Sequence, residues 1–217
     1  MDFVFEQIRV GGDRNFGYLI GDRSAGVAAL VDPSFSPEAV VERATAQGLK
    51  PAYIVNTHGH GDHINGNAKA KELTGAPVCA FHDSPVAPDE KLYDGSILTV
   101  GDYALRFLHT PGHCADHLVI HLEEQACALT GDLIFVGKVG GTGSEEAARI
   151  EWASLQRVLK ELPGETTLWP GHDYGCRPAS TLAWERANNP FLGAPDLASF
   201  LRLKLEWPEF KKKHGLK

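Results

Sequence analysis

The order of hydrophobic and polar positions along the chain predicts short strands that alternate with helices. Apolar runs of about four to eight residues that end at Gly, Pro or Asp are typical of strands. Apolar positions spaced three and four residues apart predict helices, and Ser36-Pro37 has the residues of an N-cap and a first turn. The predicted strands cover residues 3–8, 16–20, 27–31, 52–56, 77–81, 96–100, 103–108, 118–122, 126–130 and 166–169. The predicted helices cover residues 36–47, 67–73, 145–162 and most of the chain after residue 178, with breaks at Pro190 and Pro195.

This order of elements predicts an α/β fold in which sheets are covered by helices on both faces. The length of 217 residues fits one domain, or one domain with a short appendage. The sequence shows no repeat of fixed short period and no long linker. A strand that runs into a loop and then a helix, as predicted for residues 52–73, is where α/β proteins bind ligands.

Composition and charge argue against several classes of protein. The formal net charge is −7 and the pI is about 5.8, which argues against binding nucleic acid through a broad basic face. No apolar run approaches the roughly 20 residues that span a bilayer, and the first residues do not resemble a signal peptide. We therefore expect a cytoplasmic protein without a membrane partner. The cysteines form no C-x-x-C pair, and we expect free thiols at Cys79, Cys114, Cys127 and Cys176.

Histidine and aspartate follow the ends of four predicted strands. NTHGHGDH at 56–63 and TPGH at 110–113 each follow a strand, as do Gly131-Asp132 and the PGH sequence at 170–172. Imidazole and carboxylate are ligands for Zn, Fe and Mn, and the ends of neighbouring strands can converge in space. We therefore predict a metal site built from His58, His60, Asp62, His63, His113, Asp132 and His172.

The crowding of ligands between residues 58 and 63 predicts two ions. At metal–nitrogen distances of about 2.0–2.1 Å, one ion can hardly take four ligands from so short a loop. The glycines between the histidines make the loop flexible, and the adjacent Asp62 and His63 must point in different directions. We assign one ion to His58, His60 and His113, the other to Asp62, His63 and His172, and a bridging position to Asp132. The remaining histidines are predicted to be ordinary core or surface residues: His82, His109, His117, His121 and His214.

These motifs resemble the metallo-β-lactamase superfamily, in which the seven matching positions carry metal ligands. Within it, GDLIFVGKVGG at 131–141 and PGHDYGCRPASTLAWERANNPF at 170–191 resemble the glyoxalase II (hydroxyacylglutathione hydrolase) branch. The resemblance implies a four-layer αββα sandwich with the metals at one edge and a short C-terminal helical tail. We place the catalytic domain at 1–177 and the helical segment packed on it at 178–217. Asp132 stands where one type of zinc β-lactamase has a cysteine ligand.

The branch resemblance implies a metal-dependent hydrolase that cleaves small-molecule thioesters, with hydroxyacylglutathione as the substrate type. Two divalent ions about 3.5–4 Å apart, zinc first and iron or manganese as alternatives, would hold a bridging water and lower its pKa. The resulting hydroxide would attack the carbonyl, and a thiolate, whose conjugate thiol has a pKa of ~8.5, would leave without a strong acid. Asp62 and Asp132 are the predicted catalytic carboxylates, and Lys138 and Tyr174 are the predicted substrate contacts.

A persulfide dioxygenase of the same fold is the main alternative, with one iron held by His58, His113 and Asp132 as a facial triad. Those enzymes resemble one another in Arg-Thr-Asp after the aspartate strand, and glyoxalase II members place Lys after Gly-Cys-Gly. This chain has Gly-Gly-Thr-Gly at 140–143, and its region after His172 is shorter than in full-length glyoxalase II. Lactone or ester hydrolysis and a non-catalytic metal-binding module are further alternatives. The sequence does not fix the oligomeric state.

Overall fold

Two β-sheets packed face to face form the centre of the computed structural model, which describes residues 2–214. The strands of the first sheet lie in chain order and are β1 (Phe3–Gly11), β2 (Asn15–Asp22), β3 (Val27–Val31), β4 (Lys50–Val55), β5 (Val78–Phe81) and β6 (Glu90–Leu92). The second sheet contains β7 (Ile97–Val100), β8 (Tyr103–His109), β9 (Leu118–Leu122), β10 (Cys127–Gly131), β13 (Thr167–Pro170) and β14 (Ser180–Thr181). Its spatial order is β14-β13-β10-β9-β8-β7, and a separate hairpin consists of β11 (Ile134–Phe135) and β12 (Lys138–Val139).

Helices cover the outer faces of both sheets. The helices of the described chain are α1 (Pro37–Ala46), α2 (Gly61–Ile64), α3 (Asn67–Thr74), α4 (Glu145–Glu161), α5 (Leu182–Asn188) and α6 (Leu197–His214). The helices α1 and α3 pack on the first sheet, and α4, α5 and α6 pack on the second. Within residues 2–214, no helix is both long enough and apolar enough to cross a membrane.

The alternation of side chains along β2 shows how the layers form. Tyr18 and Ile20 point between the sheets, where Phe107 and Ile120 of the second sheet join the same core. Leu19 points the other way and packs in the layer beneath α1. Successive residues of a strand face opposite sides, so a strand covered on both faces is buried throughout. The predicted four-layer αββα arrangement is confirmed.

The C-terminal helices share the core of the second sheet. Phe200 of α6 is fully buried, and its ring centroid lies 5.1 Å from Trp152 of α4 and 6.0 Å from Phe191. Trp207, about two turns before the end of the helix, packs 5.0 Å from Phe191. This packing covers one face of α4. The division of the chain at 177/178 stays a prediction, and residues 215–217 of the second segment lie outside the described part.

Three local features differ from the sequence prediction. Gly61–Ile64 forms a helical turn inside the histidine loop, where the His63 N–H donates to the His60 carbonyl at 2.9 Å. Ser36 precedes α1 as predicted, but its hydroxyl donates to the Val10 carbonyl at 3.0 Å and does not cap the helix. The strands β6, β11, β12 and β14 have only two or three residues, too few to show a hydrophobic period.

Phe200→Ala should destabilise the protein by about 3–5 kcal/mol, because it removes a buried ring from between α6 and α4. Chemical unfolding followed by circular dichroism would measure the loss. A single transition is expected, since α6 shares the core of α4 and the second sheet. Leu205→Ala is the matched control on the same helix, because Leu205 is 80% exposed and its loss should cost about 0.5 kcal/mol or less. Separate melting of the C-terminal segment would contradict this packing.

Candidate metal centre

Loops at the ends of four strands meet at one edge of the sandwich. In the first sheet, β4 runs into the segment 57–63. In the second sheet, β8, β10 and β13 are followed by the loops that carry His113, Asp132 and His172. The strands β10 and β13 are parallel neighbours, which brings Asp132 and His172 to the same edge. Both sheets therefore contribute to one cluster.

His58, His60 and His113 form the first group of possible ligands. The Nδ1 atom of His60 lies 3.1 Å from His58 Nε2 and 2.9 Å from His113 Nε2. His58 is buried, His113 is half-buried and His60 is exposed, so this group opens to solvent on one side. The open side gives water or a substrate access to the group.

Asp62, His63 and His172 form the second group. The Nε2 atoms of the two histidines lie 3.2 Å apart, and Asp62 Oδ2 lies 3.6 Å from His63 Nε2 and 3.4 Å from His172 Nε2. Asn15 Nδ2 donates to the same carboxylate oxygen at 2.9 Å. That bond orients Asp62 although its side chain is partly exposed.

Asp132 lies between the two groups. Its Oδ2 atom is 3.6 Å from His113 Nε2 and 3.3 Å from His172 Nε2, and its Oδ1 atom is 3.4 Å from His63 Nε2. Gly171 permits this approach, because a Cβ atom there would come within 2.3 Å of Asp132 Oδ1. The sequence prediction gave Asp132 the bridging position, and the carboxylate faces ligands of both groups.

Backbone carbonyls fix the protonation of two of the imidazoles. His113 Nδ1 donates to the Gly141 carbonyl at 2.8 Å, and His172 Nδ1 donates to the Asp13 carbonyl at 2.9 Å. A carbonyl oxygen only accepts hydrogen bonds, so both Nδ1 atoms carry the proton. In the neutral ring each Nε2 atom then presents a lone pair to the cluster.

A buried aspartate connects the remaining two buried histidines. Asp32 accepts from His63 Nδ1 at 3.0 Å and from the Thr57 hydroxyl at 2.6 Å. Because the Thr57 hydroxyl donates its proton to Asp32, its oxygen accepts from His58 Nδ1 at 3.0 Å. The Thr57 N–H also donates to Asp32, at 2.9 Å. The Asp32 carboxylate thus orients one histidine of each group, His63 directly and His58 through Thr57, so that both Nε2 atoms face the cluster.

Asp32 and Asn15 were not identified by the sequence analysis. Asp32 follows β3 directly, and its φ of 44° lies in the left-handed region, which Asp and Asn tolerate better than most residues. An aspartate at a strand end beside a Pro was the available signal, but it resembles an ordinary turn. The hydrogen-bond partners of Asp32 and Asn15 lie 25 to 47 residues away in the chain, so no local pattern reveals these contacts.

Position 59 has no room for a side chain, which is why a glycine fits there. A Cβ atom at Gly59 would lie 2.5 Å from Pro85 Cγ and 2.8 Å from Asp116 Oδ2. Gly61 has open space around it, and neither glycine adopts a left-handed φ in the described chain. The helical turn α2 and the close approach of Pro85 pack around this segment.

The electrostatics of the cluster fit a bound cation. Burial, followed by the neighbouring imidazoles, holds the pKa of His58 well below its ordinary value. Burial opposes a charge on His172, but hydrogen bonds with Asp132 and Asp62 outweigh it and raise the pKa of His172 to about 10. A proton on His172 thus supplies positive charge between two carboxylates. Among the described residues, Asp132 Oδ1 is buried without a hydrogen-bond partner. The donor set fits divalent cations that would replace this proton.

The other histidines occupy different positions. His117 is buried beside the cluster, where its Nε2 atom accepts from the Asp132 N–H at 3.1 Å and its Nδ1 atom bonds the Thr110 hydroxyl at 2.9 Å. Burial lowers the pKa of His117 to about 3, which keeps it neutral. His109 stacks on Phe81 at 4.0 Å, away from the cluster. His82 stacks on Tyr93 and His121 lies in β9, whereas the side chain of His214 lies outside the described part.

A pocket of about 600 Å³ adjoins the cluster and contains the two predicted substrate residues. Lys138 lies on β12, and its ammonium is 4.0 Å from the ring centroid of Tyr174. The Tyr174 ring stacks on His172 at 4.6 Å, and its hydroxyl donates to Asp13 Oδ2 at 2.6 Å. Asp13 thereby contacts a metal-ligand candidate through its carbonyl and a pocket residue through its carboxylate. Arg14 approaches the Tyr174 ring at 4.6 Å.

Asp32→Asn should weaken divalent-metal binding by about 10–100-fold, because it removes the carboxylate that orients His63 and, through Thr57, His58. Asparagine tolerates the left-handed φ of this position, so the backbone can be retained. Competition between the protein and a chromophoric chelator would measure the affinity. Asp22→Asn is the matched control, since Asp22 is a buried turn carboxylate that bonds Ser24. Equal metal affinity in the unaltered and D32N proteins would contradict the role of Asp32.

Several proteins are similar to this chain in sequence. Residues 10–172 match the metallo-beta-lactamase superfamily. Hydroxyacylglutathione hydrolase of Methylococcus capsulatus is 36% identical over 163 residues, which are 74% of this chain and 62% of that protein. The aligned part thus spans about three fifths of that relative's length. The human mitochondrial persulfide dioxygenase ETHE1 is 32% identical over 186 residues, which are 82% of this chain and 71% of that protein.

Solved structures extend the similarity to nearly the whole fold. The crystal structure of ETHE1 from Myxococcus xanthus has a TM-score of 0.86 and 29% identity, and covers 94% of this chain and 91% of that one. The crystal structure of TTHA1623 in a di-iron-bound form has a TM-score of 0.72 and 29% identity, with 86% and 100% covered. From the match over residues 10–172, this chain belongs to the metallo-β-lactamase superfamily.

Proposed function

We propose that the protein is a metal-dependent hydrolase that cleaves thioesters of the hydroxyacylglutathione type. The observation that carries this proposal is the complete second ligand group, Asp62, His63 and His172, beside the first. A single ion would need only part of the seven-residue cluster. The likeness to the di-iron-bound TTHA1623 and to hydroxyacylglutathione hydrolase supports the same conclusion. We propose the seven clustered residues as ligands of two divalent ions, with zinc first and iron or manganese as alternatives.

The cations, when bound, would supply Lewis acidity that polarises a carbonyl and lowers the pKa of water. The chain's own residues position the reaction around them. Asp132 contacts both groups from a buried position, whereas Asp62 is partly exposed and fixed by Asn15. Asp62, as the partly exposed carboxylate of the second group, would assist proton transfer, and Asp132 would hold the two groups at a constant separation. These are the roles we propose for the two predicted catalytic carboxylates.

The pocket beside the cluster supports an anionic substrate with a thiol leaving group. Arg14, Lys138 and Lys211 line it, and its volume of about 600 Å³ lies within the usual range of small-molecule sites. Burial, and then the charges of Lys211 and Arg14, lower the pKa of Lys138 to about 8. These cations would attract the carboxylates of a glutathione-like group. A thiolate, whose conjugate thiol has a pKa of ~8.5, needs no strong acid to leave. The cytoplasmic location remains a prediction of the sequence.

Persulfide dioxygenation is the second candidate. The structure of ETHE1 from Myxococcus xanthus has the TM-score of 0.86 given above, and human persulfide dioxygenase ETHE1 shares 32% of aligned residues. Under this alternative, His58, His113 and Asp132 would hold one iron and His172 would not be a ligand. The two candidates therefore differ in what they require of the second group.

His172→Ala separates the two candidates. It removes a ligand of the second group only, so thioester hydrolysis should fall at least about 100-fold while the first group stays intact. The assays are hydrolysis of S-D-lactoylglutathione and oxygen uptake with glutathione persulfide, with metal content measured by elemental analysis. The bound metal should fall from two ions to one per chain.

His82→Ala is the control, because His82 is an exposed histidine that stacks on Tyr93 away from the cluster. Both activities should be unchanged in that variant. A different result would establish the dioxygenase instead. In that case both the unaltered protein and the H172A variant would take up oxygen, and neither would hydrolyse the thioester.

Lys138→Met should raise the KM for S-D-lactoylglutathione about tenfold and leave kcat within about twofold, because the loss is one charge contact to the bound group. Methionine keeps an unbranched side chain of similar length and removes the ammonium that lies over the Tyr174 ring. Initial-rate kinetics at two salt concentrations would show the effect, which should be smaller at high salt. Lys160→Met, an exposed lysine of α4, is the matched control. An unchanged KM would remove Lys138 from the substrate site.

A further inference from the structure

The helices α4 and α6 meet directly behind the loop that carries His113. Glu151 of α4 is fully buried, and its carboxylate forms an ion pair with the ammonium of Lys204 from α6. The Lys204 side chain is only 12% exposed. The chain thus places a charged pair inside the contact between two helices.

This pair is costly to bury. Desolvation raises the pKa of Glu151 to about 7 and lowers the pKa of Lys204, even though each partner stabilises the other's charge. Apolar side chains of similar size could fill the same space with equal or greater stability. The contribution of the pair to helix packing therefore does not by itself account for the two charges.

The ammonium of Lys204 has a second partner that leads to the metal centre. Lys204 Nζ donates to the Gly140 carbonyl at 2.5 Å, and the next carbonyl, that of Gly141, accepts from His113 Nδ1 at 2.8 Å. A Cβ atom at Gly140 would lie 2.1 Å from the Asp132 carbonyl oxygen and 2.8 Å from His113 Nδ1. The Gly140–Gly141 turn is therefore held between Lys204 on one side and the His113 ring on the other.

The partner of Lys204 supports the same histidine from the opposite direction. Gly112 packs against the backbone of Glu151, where a Cβ atom at Gly112 would lie 2.3 Å from Glu151 Cα. One turn further along α4, the Ser154 hydroxyl donates to the Pro111 carbonyl at 2.6 Å. The two residues before His113 thus rest on α4, and the Glu151–Lys204 pair joins this support to the Gly140–Gly141 turn.

We propose that Lys204 is a positioning residue for His113, through which helix α6 controls metal affinity in the group His58, His60 and His113. The Lys204 ammonium fixes the Gly140–Gly141 turn, and the turn fixes the Nδ1 proton and the ring plane of His113. Among the described hydrogen bonds, none connects Lys204 with the second group, Asp62, His63 and His172. Gly140 also packs on the backbone carbonyl of Asp132, but among the seven ligand candidates only His113 is hydrogen-bonded to Gly141, so the effect is expected in the first group.

This inference rests on the metal binding of the proposed function but not on thioester cleavage, so the test measures metal alone. The main variant is Lys204→Met/Glu151→Met, which removes both charges and leaves none unpaired. Zn²⁺ is titrated into the metal-free protein against a chromophoric chelator, and His113→Ala identifies the binding step of the first group. Lys212→Met, an exposed lysine of the same helix, is the matched control.

In the double variant, the Zn²⁺ affinity of the binding step that His113→Ala identifies should fall about tenfold, as when other partners of metal ligands are removed. The Zn²⁺ affinity of the other binding step should not change. The visible absorption of bound Co²⁺ should change only for the same step. Thermal unfolding of the metal-free double variant should match that of the unaltered protein. Should the methionine pair prevent folding, Lys204→Leu/Glu151→Leu serves in its place with the same expectation.

Two unchanged steps, or equal weakening of both, would overturn the proposal, because equal weakening is the mark of a general loss of structure. Absence of Zn²⁺ binding in the unaltered protein would overturn the proposed function as well. Normal two-step binding without thioester cleavage would overturn only the hydrolase, and the result for Lys204 would stand.

Discussion

The crowding of imidazole lone pairs is the constraint on which the arrangement of this centre depends. Site-facing nitrogens of neighbouring rings lie 2.9–3.2 Å apart, close enough for their lone pairs to repel unless a proton or a metal cation lies between them. The fold holds them in place from behind. The carbonyls of Asp13 and Gly141 and the carboxylate of Asp32 bind the opposite nitrogens, so the rings cannot turn away to relieve the repulsion. The fold therefore directs these nitrogens toward one point, where the donor set fits divalent cations.

The sequence revealed the fold and the composition of the cluster because both have local signatures. Strand ends are marked by turns, and the ligands follow those ends within a few residues, so TPGH or NTHGHGDH can be recognised alone. The supporting residues have no such signature. Asp32 reads as a turn and Lys204 as one lysine of an amphipathic helix, since their contacts lie 31 and 64 residues away in the chain. Distance along the chain, and not weakness of the contact, hides them.

The same reasoning explains why this chain is similar in sequence both to a hydrolase and to a dioxygenase, at 36% and 32% identity. The aligned metal motifs lie on the strand ends, which the fold keeps in one arrangement. The pocket is made from other parts: the turn with Asp13 and Arg14, the hairpin with Lys138, and the later turns of α6. These segments line the pocket together with His113 and Asp132. Similarity in the motifs therefore indicates the kind of site and does not distinguish the two proposed activities.

The hydrogen bond from His172 to Asp13 has a consequence for the order of assembly. Residues 13 and 172 lie 159 positions apart, and the Phe16 N–H also bonds the Gly171 carbonyl at 2.8 Å. The second ligand group is thus assembled only when an early turn of the chain meets one of its last strands. A growing chain on the ribosome, before residue 172 has emerged, contains His58, His60 and His113 but lacks one member of the second group. The complete cluster of seven residues can therefore form only late in synthesis, once the two sheets have met.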